Sequence, residues 1–282
     1  METIDTLPAT DLKILQDKDG FMYGVDAVLL SHFSLECIRN ENSVVDLGCG
    51  NGVMPLLLAA HSRAKQITGI EIQEKAAELA RKNVELNGLS QKIQILQGNV
   101  SDIASICCCG GFDCSAGCEM PEVQTSTVGW GGVLQNDLPQ KNSADVVISN
   151  PPYMKYDAAS WSDKNSTEKL TAARHELYAN LDDFVGAAAF LLKSKGRFCL
   201  IHRPNRLSEI FSALQKYRLE PKRMQLVFPA ADRPPTMVLI EARKNAASDL
   251  KILEPLIMYS APGQKSPQME KIYSFGAAEA LR

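Results

Sequence analysis

The chain has 282 residues, of which 45% are apolar and 22% charged, with a formal net charge of −3. That is enough chain for one large α/β domain with a substantial core, and too little positive charge for a polycation, so a nucleic-acid partner would have to be met by a local basic patch. No run of about 18 apolar residues occurs and the acidic N-terminus lacks a basic segment leading an apolar one, so neither a transmembrane helix nor a secretory leader is expected. A chain of this size does not need its eight cysteines as disulfide staples, which points to a reducing, cytoplasmic compartment.

In chain order, ENSVVDLGCG predicts a buried strand over Ser43–Leu47 that ends in glycines, followed by an apolar helix in VMPLLLAAHS. KQITGIEI reads as a second strand, and QEKAAELARKNVELNGL as an amphipathic helix stopped at Asn87-Gly88. KIQILQGNV and ADVVIS are the third and fourth strands. LDDFVGAAAFLLKSKGRFCLIHR gives a helix, a glycine break and a fifth strand, and RLSEIFSALQKYRL a further amphipathic helix. RMQLVFP and PTMVLIEARK follow as two strands without a long helix between them, an arrangement that predicts an antiparallel edge. The alternation predicts an α/β fold with a doubly wound, mainly parallel, seven-stranded sheet. Residues 1–40 form an N-terminal segment, 41–245 the main domain, and 246–282 a packing tail, in which LEPLIMYS reads as a strand or packing arm and EKIYSFGAAEALR as a short helix.

Residues 102–143, rich in Cys, Gly, Ser, Thr and Asn and without periodicity, read as an insertion loop. Cys107, Cys108, Cys109, Cys114 and Cys118 would suffice for a four-coordinate zinc, but the spacing is not a repeated C-x-x-C pair and no histidine is near, so no metal is expected.

The first chemical signal is Asp46-Leu47-Gly48-Cys49-Gly50-Asn51-Gly52, between the first strand and its helix. Glycines there let the backbone turn tightly and approach a ligand at the carboxyl end of the sheet. Glu71 ends the second strand, where a carboxylate can accept from ribose hydroxyls, with Ile72 placed to flank an adenine ring. Asn99 and Val100, after the third strand, lie where the adenine amine would be met. The glycine spacing G-x-G-x-G, preceded by an acid, differs from the G-x-G-x-x-G of dinucleotide sites and fits S-adenosylmethionine better, with Asp46 facing the positive end of its methionine moiety.

The second signal is Asn150-Pro151-Pro152-Tyr153, directly after the fourth strand. A conjugated amine or amide nitrogen is a poor nucleophile because its lone pair is delocalised. Two acceptors, the Asn150 side chain and the Pro151 carbonyl, can draw its hydrogens out of plane and localise that pair. Consecutive prolines stiffen the acceptors, and Tyr153 can stack on a planar target.

These residues resemble the amino-methylating branch of the class I, Rossmann-like S-adenosylmethionine-dependent methyltransferases. Within it the chain is similar to the bacterial tRNA(Val) adenine-37 N6-methyltransferases and their relatives in Gram-positive bacteria. The likeness runs through Gly24-Val25-Asp26-Ala27-Val28-Leu29-Leu30, Ala173-Arg174-His175-Glu176, IHRPNRLSEI and LEPLIMYS, and the Cys-rich insertion departs from it. The resemblance implies methyl transfer to the N6 amine of adenine in RNA, tRNA in particular, with residues 1–40 covering the cofactor. Asp26 either meets the methionine carboxylate region through water, holds Tyr23, or is a helix N-cap or a solvated acid. Arg174 and His175 contact RNA phosphate or form a surface salt bridge with Glu176. From Lys193 to Arg223, nine Lys and Arg face only Glu209 and Glu220, a local excess that can steer RNA or be an ordinary solvated surface.

Other readings remain at this stage. A release-factor glutamine methyltransferase uses the same tetrapeptide but normally carries a helical domain before the glycine loop, where this chain has about 40 residues. A DNA adenine methyltransferase would need a target-recognition domain, and none is visible. A non-catalytic binding module is disfavoured because both motifs are intact.

Overall fold

The computed structural model describes residues 2–17, 23–103, 140–153 and 179–279. The chain opens with an antiparallel hairpin, β1 (Glu2–Thr6) and β2 (Lys13–Asp17), followed by helix α1 (Val25–Leu35). The alternating elements then run β3 (Ser43–Leu47), α2 (Val53–His61), β4 (Gln66–Glu71), α3 (Glu74–Leu86) and β5 (Ile93–Gln97). After the insertion come β6 (Ala144–Ser149), α4 (Leu181–Leu191), β7 (Leu192–His202), α5 (Leu207–Lys216), β8 (Leu219–Phe228) and β9 (Met237–Lys244). The tail adds β10 (Lys251–Ile252), β11 (Leu256–Ile257), a small hairpin of β12 (Tyr259–Ala261) and β13 (Gln264–Lys265), and α6 (Pro267–Glu279).

The central sheet has the order β10-β8-β9-β7-β6-β3-β4-β5, with β11 also pairing β8. Strand β9 is antiparallel to both neighbours, while β7, β6, β3, β4 and β5 pair in parallel. The seven expected strands form the body of this sheet, and two two-residue strands extend it to nine. A buried parallel sheet is apolar on both faces, and the residues divide accordingly. Val44, Ile67, Val146, Ile148, Cys199 and Ile201 pack toward α1, α2 and α3. Val45, Leu47, Ile70, Val147, Phe198 and Leu200 pack toward α4 and α5. The mixed helix α4 starts on a reciprocal cap: Asp183 N–H donates to Asn180 Oδ1 at 3.1 Å, and Asn180 N–H to Asp183 Oδ2 at 2.8 Å.

Three features differ from the sequence expectation. The β1–β2 hairpin is new, since neither short segment carries a strong periodic signal. It is held from outside by α3: Asn87 takes Lys13 N–H at 2.8 Å and donates to Lys13 O at 2.7 Å, and Asn83 does the same for Leu15 at 2.6 and 3.1 Å. Gly196 does not break helix from strand. It lies within β7, beside Lys195 at φ +64°, where the register against β6 shifts, so it marks a bulge. In the tail, LEPLIMYS supplies β11 and begins β12. Helix α6 starts earlier than expected, with Ser266 Oγ accepting from Met269 N–H at 3.1 Å. Most of the insertion, including its five cysteines, lies outside the described residues, as do Arg174 and His175. Among the described residues no helix is long and apolar enough to cross a membrane.

Candidate active site

The chain lays β4 and β5 to one side of β3, then crosses to place β6 on the other. Such a switch point opens a crevice at the carboxyl ends of the strands, where α/β folds hold ligands. Register brings the two motifs level: Leu47 pairs with Ser149, so the glycine loop and the tetrapeptide leave adjacent strands together. The Ser149 hydroxyl donates to Leu47 O at 2.9 Å and pins the two exits to each other.

In the glycine loop, Gly48, Gly50 and Gly52 have φ of +77°, +54° and +85°, the left-handed region that excludes most side chains. Gly48 and Cys49 N–H both donate to Ile70 O, at 2.8 and 3.0 Å. Glu71, buried at the end of β4, anchors the next turn, accepting from Gly50 N–H at 2.9 Å and from Gln73 N–H at 2.8 Å. Each carboxylate oxygen keeps a lone pair for a further donor. Cys49 is a packing residue: a Cβ on Gly69 would fall 2.7 Å from its sulfur, and burial, then Asp46 and Glu71, push its thiol well above the usual range.

Asp46 and Asn51 stand apart from this satisfied network. Asp46 is fully buried and neither carboxylate oxygen has a hydrogen-bond partner among the described residues. Burial first, and the charge of Glu71 second, push its carboxyl well above the ordinary aspartate range. The Asn51 side-chain amide is likewise buried and, among the described residues, unpartnered at both ends, although its backbone carbonyl accepts from Asn83 at 2.9 Å. Buried polar groups are normally paired, so orphaned acceptors beside a glycine cradle mark a place for a ligand with a cationic or donor end. S-adenosylmethionine carries an ammonium group and ribose hydroxyls, and this donor set fits it. Ile72 is half-buried after β4, and Val100 is buried. Asn99 Oδ1 accepts from Ser101 N–H at 3.0 Å, so that atom also caps the following turn.

On the tetrapeptide side, Pro151 is buried while Asn150, Pro152 and Tyr153 are partly exposed. Tyr153 Oη lies 2.8 Å from Asp26 Oδ2 and 2.7 Å from Asn150 Oδ1. Asp26 therefore meets Tyr153 rather than Tyr23. Its other oxygen takes Ala27 N–H at 2.9 Å, and Gly24 leaves it room, because a Cβ there would fall 2.5 Å from Asp26 Oδ1. Burial and then Asp26 push the Tyr153 phenol well above its usual range, so it keeps its proton.

Two neighbours escaped the sequence reading. The His202 ring meets Tyr153 edge-on, with centroids 5.3 Å apart, and the Arg203 guanidinium sits 4.8 Å from the Tyr153 ring centre. Burial, reinforced by Arg206, lowers His202 to about 4, so it is neutral at pH 7; its Nδ1 accepts from Arg203 N–H at 2.7 Å. The available signal was position: His202 ends, and Arg203 directly follows, the strand that neighbours the tetrapeptide strand. Much of the basic segment from Lys193 to Arg223 is ion-paired. Lys193 meets Asp145 at 2.8 Å, Lys216 meets Asp182 at 2.7 Å, and Arg223 pairs with Glu241 and Glu36, which leaves less free charge than the count implied. Among the described residues no group of three or more metal-binding side chains occurs.

Family comparisons agree with this geometry. The family "Methyltransferase small domain" matches residues 23–105, and "Eco57I restriction-modification methylase" matches residues 65–228, more than half of the chain. The chain belongs to this methylase family. It is a class I methyltransferase that uses S-adenosylmethionine. A tRNA1(Val) (adenine(37)-N6)-methyltransferase of Porphyromonas gingivalis is 27% identical over 254 residues, covering 88% of this chain and 86% of the relative. Its counterpart in Flavobacterium johnsoniae is 26% identical over 245 residues, covering 86% and 87%. Among solved structures, an Agrobacterium tumefaciens protein described as a predicted O-methyltransferase superposes with a TM-score of 0.61 at 21% identity, over 90% of this methyltransferase and 97% of that chain, a likeness of fold.

Proposed function

We propose that this methyltransferase modifies the N6 amine of adenine in RNA, with tRNA, and adenine-37 in particular, as the substrate. The observation that carries the reading is the level placement of Asn150 beside the glycine cradle, at the exit of the strand next to β3. The curated tRNA relatives, matched over most of their length, favour adenine in tRNA over the amide of a release-factor glutamine.

The cofactor, when bound, supplies an electrophilic methyl group. Asp46 is assigned to compensate its ammonium end, Glu71 to hold its ribose hydroxyls, and Gly48, Gly50, Asn51 and Gly52 to shape the cradle. Ile72, Asn99 and Val100 are assigned to the adenine end. Residues 1–40 are assigned to cover this site, a reading supported by the docking of strand β2 on Asn83 of α3 and on Asn87 at its end. Asn150 and the Pro151 carbonyl accept the two hydrogens of the target amine, which pulls the nitrogen toward pyramidal geometry and frees its lone pair. Tyr153, steadied by His202 and Arg203, stacks on the target base, a contact worth about 1–3 kcal/mol. No strong base is required, because the nitrogen sheds its proton only as the bond to the methyl group forms; alignment of the reacting atoms dominates. For Arg174 and His175, contact with RNA phosphate stays an assignment made from sequence.

The test offers tritium-labelled S-adenosylmethionine to the protein with unmodified total tRNA and, in parallel, with a release factor. Label in tRNA alone is expected. Label in the release factor alone would move the assignment to the glutamine branch.

A further inference from the structure

Tyr153 raises a proton-counting problem that the stacking role does not address. A phenol has one proton, yet its oxygen sits 2.8 Å from Asp26 Oδ2 and 2.7 Å from Asn150 Oδ1, so three oxygens meet around a single hydroxyl proton. Both distances are those of hydrogen bonds, so one neighbour must accept and the other must donate. A carboxylate can only accept, and a phenol proton is held more strongly by a charged oxygen than by a neutral amide oxygen. The reverse arrangement would aim the phenol lone pairs at the Asp26 carboxylate. The proton therefore belongs to the bond with Asp26, and the amide must present its NH2 group to the phenol oxygen. The structure sets Oδ1 toward the phenol; the two ends of an asparagine amide have nearly the same shape, and exchanging them gives every group in this cluster a partner of the right kind.

We propose that Asp26, acting through Tyr153, sets which end of the Asn150 amide faces the substrate. The chain of donors runs from the Asn150 NH2 to the Tyr153 hydroxyl to the Asp26 carboxylate. With its NH2 committed to the phenol, Asn150 turns its oxygen to the opposite side, free to accept from the target amine. The other orientation would set the amide NH2 against the amine, two donors facing each other. Asp26 is itself fixed: Ala27 N–H holds its second oxygen at 2.9 Å, it lies in the first turn of α1 where the helix dipole favours negative charge, and Gly24 clears the space it occupies. Asp26 is thus a positioning residue, and the hydroxyl of Tyr153 does a second job beside the ring's. The proposal rests on the amine-methylation reading above.

The test measures kcat, KM for unmodified tRNA from a strain lacking the enzyme, and the Kd of S-adenosylmethionine for Asp26→Ala, Asp26→Asn, Tyr153→Phe and the Asp26→Ala/Tyr153→Phe double variant. Asp26→Ala and Tyr153→Phe are each expected to lower kcat about 10- to 100-fold, with KM and the cofactor Kd within about twofold of wild type. The double variant should be no slower than the worse single one, since both break the same chain. Asp26→Asn keeps an acceptor for the phenol but loses the charge that decides between the two amides, and should recover only part of kcat. Unchanged kcat in Asp26→Ala, additive losses in the double variant, or a cofactor Kd raised about tenfold, which would make Asp26 a cofactor ligand, each overturn the proposal. Asn150→Ala serves as the reference: full activity there would sink the underlying reading, whereas an inactive Asn150→Ala with a normal Asp26→Ala sinks only the relay.

Discussion

Asp46 carries two buried carboxylate oxygens without a hydrogen-bond partner among the described residues, so in the free protein its charge is a liability. Its carboxyl is raised above the ordinary value by burial, which means that the folded state binds a proton more tightly than the unfolded state. The associated stability is present at low pH and declines as pH rises through the raised value. Cofactor-free wild type should therefore lose thermal stability relative to Asp46→Asn as pH rises from about 4, and saturating S-adenosylmethionine should remove the difference. Melting temperatures across pH, with and without cofactor, check this, and Asp46→Asn should bind the cofactor at least about tenfold more weakly through loss of a charge-assisted contact. An Asp46→Asn protein that melts in parallel with wild type at every pH would contradict the role. The residue types at this site were legible in the sequence, because an acid, three spaced glycines and a later acid at a strand end leave few alternatives. The partner of Asp26 was not. Tyr153 is 127 positions away, and no local pattern announces that contact.

At the scale of elements, α3 joins the N-terminal hairpin to the cofactor loop. Asn83 is fully buried, and its amide holds Leu15 N–H and O together with the Asn51 carbonyl. Asn83→Ala should cost about 1–3 kcal/mol by stranding these backbone groups, seen as a lower urea midpoint, and should weaken S-adenosylmethionine binding by displacing Asn51. A loss of stability with unchanged cofactor affinity would separate the hairpin from the loop. Strong periodicity made β3 to β9 and α2, α3, α4 and α5 readable from sequence. The hairpin escaped because much of what stabilises it comes from Asn83 and Asn87 on another element, two residues that on sequence alone look like solvated positions near a helix end. Gly196 misled for a related reason: a glycine inside a strand and a glycine between elements look the same until the register shift is seen.

For the whole molecule, the order in which the strands assemble turns two distant motifs into one site. Gly48 and Asn150 are 102 positions apart, yet they leave adjacent strands at one level. The sequence order of strands and helices predicted the doubly wound sheet, and with it the meeting of the motifs. What it could not supply was the side of the cleft built by His202 and Arg203, whose importance depends on β7 lying beside β6. How far the basic segment is ion-paired was also beyond it, because most of the acids that pair with that segment come from elsewhere in the chain. The reading of the protein as an amine methyltransferase turns on Asn150. The decisive measurement is transfer of labelled methyl groups to tRNA from a strain lacking the enzyme, digested to nucleosides, with wild type and Asn150→Ala side by side. The expected result is label in N6-methyladenosine with wild type and a loss of about 100-fold or more with Asn150→Ala, both proteins binding S-adenosylmethionine equally. Transfer by Asn150→Ala at the wild-type rate, or label in a different nucleoside, would contradict it.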